Sequence, residues 1–252
     1  MNKEKINSLK SVMRKVMDGF NLKFKSKCGK CGYVQERDLF DYYASIIVLC
    51  SNCGKKGGFD ENTNRQLFDD LLGDMPDYKR KFIDGYFKVV TQLTIDGVDF
   101  SQDIREEQEE YFDYSWDFAG GVLDTYISFE MFLYQLTFKR IQEFIISGKK
   151  LKRDDVRFND YPNIQNLVDL INSNDQIEIE LILEGISQSF NVKDCTKLLK
   201  IISPKDVKNF DGCYNLQTKR NDIVHRGRQA NFEDYAEAFI TIGEILNTYK
   251  VD

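Results

Sequence analysis

Residues 118–147 read FAGGVLDTYISFEMFLYQLTFKRIQEFIIS. Val122, Tyr126, Phe129, Leu133, Leu136, Ile141, Phe144 and Ile145 recur at helical spacing, and apolar residues fall nearly all round the helix. A helix that is apolar on most sides has to be covered on most sides. The stretch therefore predicts a central helix with other helices packed about it. Gly148 and the basic run KKLKR supply its stop. One carboxylate, Glu130, sits three and four residues from Tyr126, Ile127, Leu133 and Tyr134. In such surroundings a carboxylate is either partnered or at an edge.

Working outward, the same periodicity recurs on both sides. Tyr78, Phe82, Tyr86 and Val90, with Ile83 and Phe87 beside them, predict a helix within DYKRKFIDGYFKVVTQL, and NRQLFDDLLG before it has similar spacing. TIDGVDF reads as a turn. Ser101–Phe118 holds seven acidic residues and one basic, and reads as a boundary segment anchored by Tyr111, Phe112, Tyr114 and Trp116. Downstream, Asp175 is placed to cap a helix carrying Ile177, Leu181, Ile182 and Ile186, and Asn191 to cap one carrying Leu198, Leu199 and Ile202. Ser203-Pro204-Lys205-Asp206 is a start signal: a hydroxyl cap, proline at the first helical position, acid in the first turn. Val207, Phe210, Tyr214 and Ile223 follow as a buried stripe with a break at Asp211-Gly212, and Gly227 ends it. A last helix begins at Asn231, with an acid three on at Asp234, and carries Tyr235, Phe239, Ile242, Ile245, Leu246 and Tyr249. Strand alternation is missing after residue 118, so the body is expected to be an all-helical bundle.

The N-terminal part is different. Four of the six cysteines form two like knuckles, Cys28-Gly-Lys-Cys31-Gly and Cys50-Ser-Asn-Cys53-Gly, with 18 residues between them. That is the spacing of a four-thiolate zinc site. The glycine after each second cysteine permits the left-handed backbone that turns amides toward the sulfurs. LKFKSKC and ASIIVLC read as strands feeding the knuckles, so the expected module is a small β zinc ribbon. Four thiolates saturate the ion, which makes the expected Zn2+ structural. Cys195 and Cys213 have no knuckle or histidine nearby and read as core thiols. The expected organisation is a ribbon with a basic N-terminal segment over 1–66, a helical, acidic connecting region over 67–114, and a helical bundle over 115–252.

Net charge is −6, but residues 1–60 hold 12 Lys and Arg against 6 Asp and Glu, so they carry +6 and the rest −12. A basic lobe on an acidic body suits contact with a polyanion, or is simply an uneven solvated surface. Lys23, Lys25, Lys27, Lys30, Lys55 and Lys56 could meet nucleic acid, or keep a small docking module soluble. No apolar run approaches the roughly 20 residues of a membrane span. The basic start lacks the apolar core and cleavage site of a secretory signal. The expected location is cytoplasmic.

The single histidine lies in KRNDIVHRG, residues 219–227. His225 falls in the last turn of its helix, where carbonyl ends favour a positive imidazole. Asn221 is one turn earlier on the same face, and Arg220 is about 140° round the helix. Lys219–Arg228 contains four cations and one acid, Asp222, a cationic spot suited to phosphate.

Arg220-Asn221-Asp222-Ile223-Val224-His225 resembles the R-x4-6-H motif of HEPN-domain proteins, including the polar residue after the arginine. Its setting is similar too: a penultimate long helix, a short glycine-containing loop and a closing amphipathic helix. The resemblance covers roughly residues 115–250, and the ribbon lies outside it. It implies metal-independent RNA cleavage. Arg220 would hold the scissile phosphate, His225 would transfer protons, Asn221 would orient either one, and Glu130 would match the acidic residue such domains carry on an early helix. It also implies a homodimer, with RNA as substrate, a prokaryotic toxin or anti-phage defence setting, and an antitoxin or defence-system partner. The alternative is a non-catalytic ribbon-and-bundle module that binds nucleic acid, a nucleotide or a protein.

Overall fold

A computed structural model describes residues 1–38, 48–57, 72–73, 75–100, 102–113, 117–148, 191–208 and 210–249. Most of NRQLFDDLLG, the helix expected after Asp175, the KKLKR run, Ala44–Ile47 of ASIIVLC, and the anchors Tyr114 and Trp116 lie outside these residues. The protein is mainly helical, with a small N-terminal region that contains the four cysteines. Among the described residues no helix is long and apolar enough to cross a membrane.

The chain forms two compact units. The first comprises Met1–Ser128 and Asn215–Lys250; the second comprises Phe129–Tyr214 and Val251–Asp252. The first opens with helix α1, Lys3–Gly19, a helix not anticipated above. Its signal is nonetheless present: the Asn2 side chain accepts from the Lys5 amide at 3.0 Å, and Ile6, Met13, Val16 and Met17 are buried along one side. Helix α2, Asp77–Ile95, buries Tyr78, Phe82, Ile83, Tyr86 and Val90 as its spacing predicted. It runs into the expected turn, and a 3₁₀ helix at Glu106–Phe112 occupies the acidic segment. Helix α3, Ala119–Ile146, has the extent read from the sequence, and its part up to Ser128 belongs to this unit. Helix α7, Phe232–Thr248, closes the first unit.

Side chains in this unit pack so closely that three helices need glycine where they cross. A Cβ on Gly243 of α7 would collide with Val16 Cγ1 of α1 and lie 2.9 Å from Phe82 Cζ. A Cβ on Gly121 of α3 would lie 2.6 Å from Val89 Cγ2, and one on Gly85 of α2 would lie 2.9 Å from Asp124 Cβ. With no side chain to separate the helices, aromatic rings fill the space beside them. Phe82 stacks on Phe239 at 4.5 Å, and Phe232 meets the rings of Phe112 and Phe118 edge-on at 5.0 and 5.5 Å.

The second unit contains α3 from Phe129, helix α4 (Val192–Ile202), the short helix α5 (Pro204–Val207) and the start of helix α6 (Asp211–Arg226). Asn191 caps α4 as expected, accepting from the amides of Lys193 and Asp194 at 2.9 and 3.1 Å. Ser203 does not cap α5 through its hydroxyl. That hydroxyl donates instead to Asp206 at 2.7 Å, and Asp206 receives Arg140 Nε at 2.5 Å. The break expected at Asp211-Gly212 falls earlier, between Val207 and Asp211, with Phe210 buried edge-on against Phe129 and Phe132. Cys195 and Cys213 are core thiols, and burial pushes both up to about 12.

Lys10 is buried in the first unit. Its ammonium donates to the Gln102 carbonyl and lies 5.1 Å from the Phe100 ring centre, tying α1 to the segment after α2. Burial lowers Lys10 to about 8, with Asp103 and Asp99 pulling the other way. An unfolded lysine titrates near roughly 10.4. Between these values the unfolded chain holds more protons than the folded one, so stability rises with pH through that window. Urea unfolding at pH 8 and pH 10 is expected to show this rise in wild type and a flatter profile in Lys10→Met. By the same assay at neutral pH, Gly243→Ala loses about 1–3 kcal/mol through overpacking. Gly120→Ala meets open space and gains about 0.5 kcal/mol.

Candidate functional site

Two groups of side chains carry chemistry: the cysteine cluster and the last turns of α6.

The cluster is built from two hairpins. Strand β1 (Lys23–Lys27) pairs antiparallel with β2 (Val34–Asp38), and β3 (Val48–Leu49) pairs with β4 (Lys56–Gly57). The sequence reading had one strand before each knuckle; the structure adds one after each. The knuckles repeat the same bonds at the same offsets. Cys28 N–H donates to Tyr33 O at 2.8 Å, and Cys50 N–H to Lys55 O at 3.1 Å. Gly32 N–H closes on Cys28 O, and Gly54 N–H on Cys50 O, at 2.8 and 2.9 Å. Both glycines are left-handed, with φ of 69° and 65°, as the sequence required. Gln35 Oε1 of β2 accepts from both the amide and the hydroxyl of Ser51, each at 3.1 Å, fastening one hairpin to the other knuckle.

This brings Cys28, Cys31, Cys50 and Cys53 together, with all four sulfurs within 4.8 Å of one another. Cys28 Sγ is 3.8 Å from Cys53 Sγ, and Cys31 Sγ is 3.7 Å from Cys50 Sγ. These separations suit four ligands round one metal ion and are far longer than the roughly 2.05 Å of a disulfide. Backbone amides, Cys31's foremost and then Lys30's, push Cys28 down to about 6. At Cys53 the Lys55 amide works in the same direction, but burial and the three neighbouring sulfurs outweigh it and push that thiol up to about 11. Sulfurs this close resist a further negative charge until a cation arrives.

The second group sits on α6. Leu216 and Ile223 are buried against the first unit, while Asn215, Thr218, Asn221, Val224 and His225 form an exposed strip. Gly227, at φ 63°, ends the helix, and the Arg228 amide turns back to the Asp222 carbonyl at 3.2 Å. Three of the four cations here are neutralised. Lys219 lies between Asp234 and Glu237 at 2.9 and 2.5 Å, Arg226 pairs with Asp222 at 2.9 Å, and Arg228 with Asp234 at 3.1 Å. Arg220 differs. Its guanidinium lies 5.8 Å over the buried Tyr126 ring, and Nη1 donates to Asn221 Oδ1 at 3.1 Å. Among the described residues it has no acidic partner. His225 is exposed and makes no hydrogen bond among the described residues.

The structure thus joins Arg220 to Asn221 and leaves His225 on the accessible face of the same helix. Glu130 lies on α3 in the second unit, half-buried. Burial first, and then the charge of Glu130, push its neighbour Tyr134 up to about 12. Tyr126 joins this group only through Arg220. It carries the helical spacing of a core aromatic, and nothing local links it to an arginine 94 positions later.

Chelation of the cluster's ion is expected to free four thiols to a chromogenic reagent, with one metal released per chain. Cys195 and Cys213 should stay unreactive until denaturant is added. Release of two thiols, or of six, would contradict the assignment of Cys28, Cys31, Cys50 and Cys53 as one ligand set.

No family model matches this chain, and no curated protein or solved structure compared with it does.

Proposed function

We propose that the chain is a metal-independent endoribonuclease of the HEPN type, acting as a homodimer, with a structural zinc ion in its N-terminal ribbon. The observation that carries the reading is the selective neutralisation on α6. Acids claim Lys219, Arg226 and Arg228, while Arg220 rests on an aromatic face with no acidic partner among the described residues. A guanidinium placed over a ring, with one donor on Asn221, keeps its remaining donors for a phosphate. Exposed His225 and Asn221 on the same helix are free to meet the same ligand.

In the reaction, a base takes the proton of a ribose 2′-hydroxyl and the oxygen attacks the adjacent phosphorus. The bond to the 5′-oxygen breaks, and an acid returns a proton to that oxygen. The products are a 2′,3′-cyclic phosphate and a 5′-hydroxyl. Arg220 stabilises the charge on the phosphoryl oxygens as it builds, and Asn221 steadies the guanidinium through the bond they share. One histidine cannot be base and acid at the same moment. Two α6 helices facing across a two-fold axis supply two imidazoles and two guanidinium groups to one cleft. Val224, beside His225, leaves an aliphatic side chain 46% exposed, which suits a surface covered by a second copy.

The sulfur separations support the zinc reading. Zn–S bonds of about 2.3 Å in a tetrahedron put sulfurs about 3.8 Å apart, matching the 3.7 and 3.8 Å separations here. Four thiolates leave no open position, so zinc supplies stability to the ribbon and no step to the reaction.

The test is cleavage of structured RNA in EDTA, with helix content followed alongside. Wild type should leave cyclic-phosphate ends. His225→Ala and Arg220→Ala should each lose about 10²–10⁴-fold in rate. Arg220→Lys should fall nearly as far, because an ammonium cannot reproduce the flat, forked contact. Equal cleavage by the variants, or none by wild type, would overturn the reading. A strict monomer in sedimentation at working concentration would overturn the two-chain site.

A further inference from the structure

The two knuckles of the ribbon share a backbone but differ in what they show to solvent. Five residues after the first cysteine, each uses only a carbonyl: Tyr33 O receives Cys28 N–H and Lys55 O receives Cys50 N–H, at 2.8 and 3.1 Å. The bonds of the turn therefore do not use the side chain at that position. In the second knuckle it is an exposed lysine. In the first it is Tyr33, 45% exposed, followed by Val34 at 50%. Among the described residues the Tyr33 ring meets no other aromatic ring and no hydrogen-bond partner.

The surroundings of Tyr33 are cationic. Lys27 pairs with Val34 across β1 and β2, and its Cε lies 3.8 Å from where a Gly32 Cβ would be, so this lysine lies against the knuckle beside the residue that precedes Tyr33. Lys30, at the tip, is exposed. The segments 21–38 and 48–57 together hold seven Lys and Arg against two Asp and Glu, in a chain of net charge −6. A rigidly mounted, half-exposed aromatic flanked by lysines fits an unpaired base stacked on the ring with its phosphates on the ammonium groups. A duplex hides its base faces and cannot use the ring. An acidic polypeptide would satisfy the lysines but has no flat partner for Tyr33.

We infer that the first knuckle is a binding surface for single-stranded nucleic acid, on which Tyr33 receives a base and Lys27 and Lys30 hold the adjoining phosphates. The inference goes beyond the cleavage reading and stands without it, because binding is measured on a strand that 2′-hydroxyl chemistry cannot cut.

The probe is a labelled oligothymidylate of about 16 nucleotides, titrated by fluorescence anisotropy with the full-length, metal-loaded chain. Wild type should bind it more tightly than a duplex of equal length. Tyr33→Phe should bind like wild type, and Tyr33→Ala about 5- to 100-fold more weakly. Lys27→Ala and Lys30→Ala should each reduce the slope of log affinity against log salt by about 0.7. Metal content and the count of thiols released by chelation report whether each variant keeps its ribbon. Should Tyr33→Ala lose metal, Tyr33→Leu keeps apolar cover without a stacking face, and the same loss of affinity is expected. The inference is overturned if metal-loaded Tyr33→Leu binds like wild type. It is equally overturned if wild type prefers duplex, if it ignores the oligonucleotide, or if polyglutamate displaces the strand as well as an unlabelled strand does. Absence of RNA cleavage with binding intact would count against the proposed enzyme and leave this surface standing.

Discussion

Asp234 holds α6 against α7. Its carboxylate is only 6% exposed and serves three purposes. It accepts from the Asn231 amide at 3.4 Å while Asn231 Oδ1 accepts from its own amide at 2.9 Å, closing the cap of α7. It receives Lys219 from the middle of α6 at 2.9 Å and Arg228 from beyond the end of that helix at 3.1 Å. A carboxylate taken out of water needs such partners, and their positions set the roll of α6 about its axis. With Lys219 turned to α7, and Leu216 and Ile223 turned to the core, the remaining faces are decided. Arg220 comes over Tyr126, and Asn221, Val224 and His225 face outward. The candidate site is accessible because one buried acid on the neighbouring helix holds the rest of α6 in place.

The same separation of structural from exposed groups recurs in the ribbon. The knuckles spend backbone amides and carbonyls on the turn, and sulfurs on the ion, so the side chains at the tips are left over. The proposed chemistry therefore falls on side chains with few structural partners: Arg220 and His225 on a helix whose other cations are paired, and Tyr33 on a turn that uses its carbonyl. His225 and Tyr33 are exposed and stand clear of the aromatic core, whereas Arg220 also covers the Tyr126 ring.

Much of this was legible from local pattern. The apolar run of 118–147, the caps at Asn191 and Asn231, the glycine stop at 227 and the doubled knuckle all depend on residues within a few positions of one another. Each was read as it stands in the structure. The misreadings share a cause. The apolar stripe of helix α1 is sparse and broken by Lys10, which is buried because Phe100 and the Gln102 carbonyl, some ninety residues away, receive it. Ser203 was read as a cap because its sequence neighbours suit one, but Asp206, committed to Arg140, draws the hydroxyl away. The break before α6 was placed at Asp211-Gly212 because glycine marks breaks, whereas the pocket made by Phe129 and Phe132 is what interrupts the helix at Phe210.

By itself, then, the amino-acid order determined that the protein is mainly helical, where its best-capped helices begin, and which four cysteines act together. Hydrogen-bond caps, helical periodicity and tight turns operate over three to five residues, and a linear reading can see that far. Tertiary structure alone decided how three of the four cations in KRNDIVHRGR are placed. Local spacing accounts for Arg226, which pairs with Asp222 four residues before it. Asp234 and Glu237 of α7 take up Lys219 and Arg228, and Tyr126 of α3 lies under Arg220, which has no acidic partner among the described residues; such partners come from beyond the reach of local spacing.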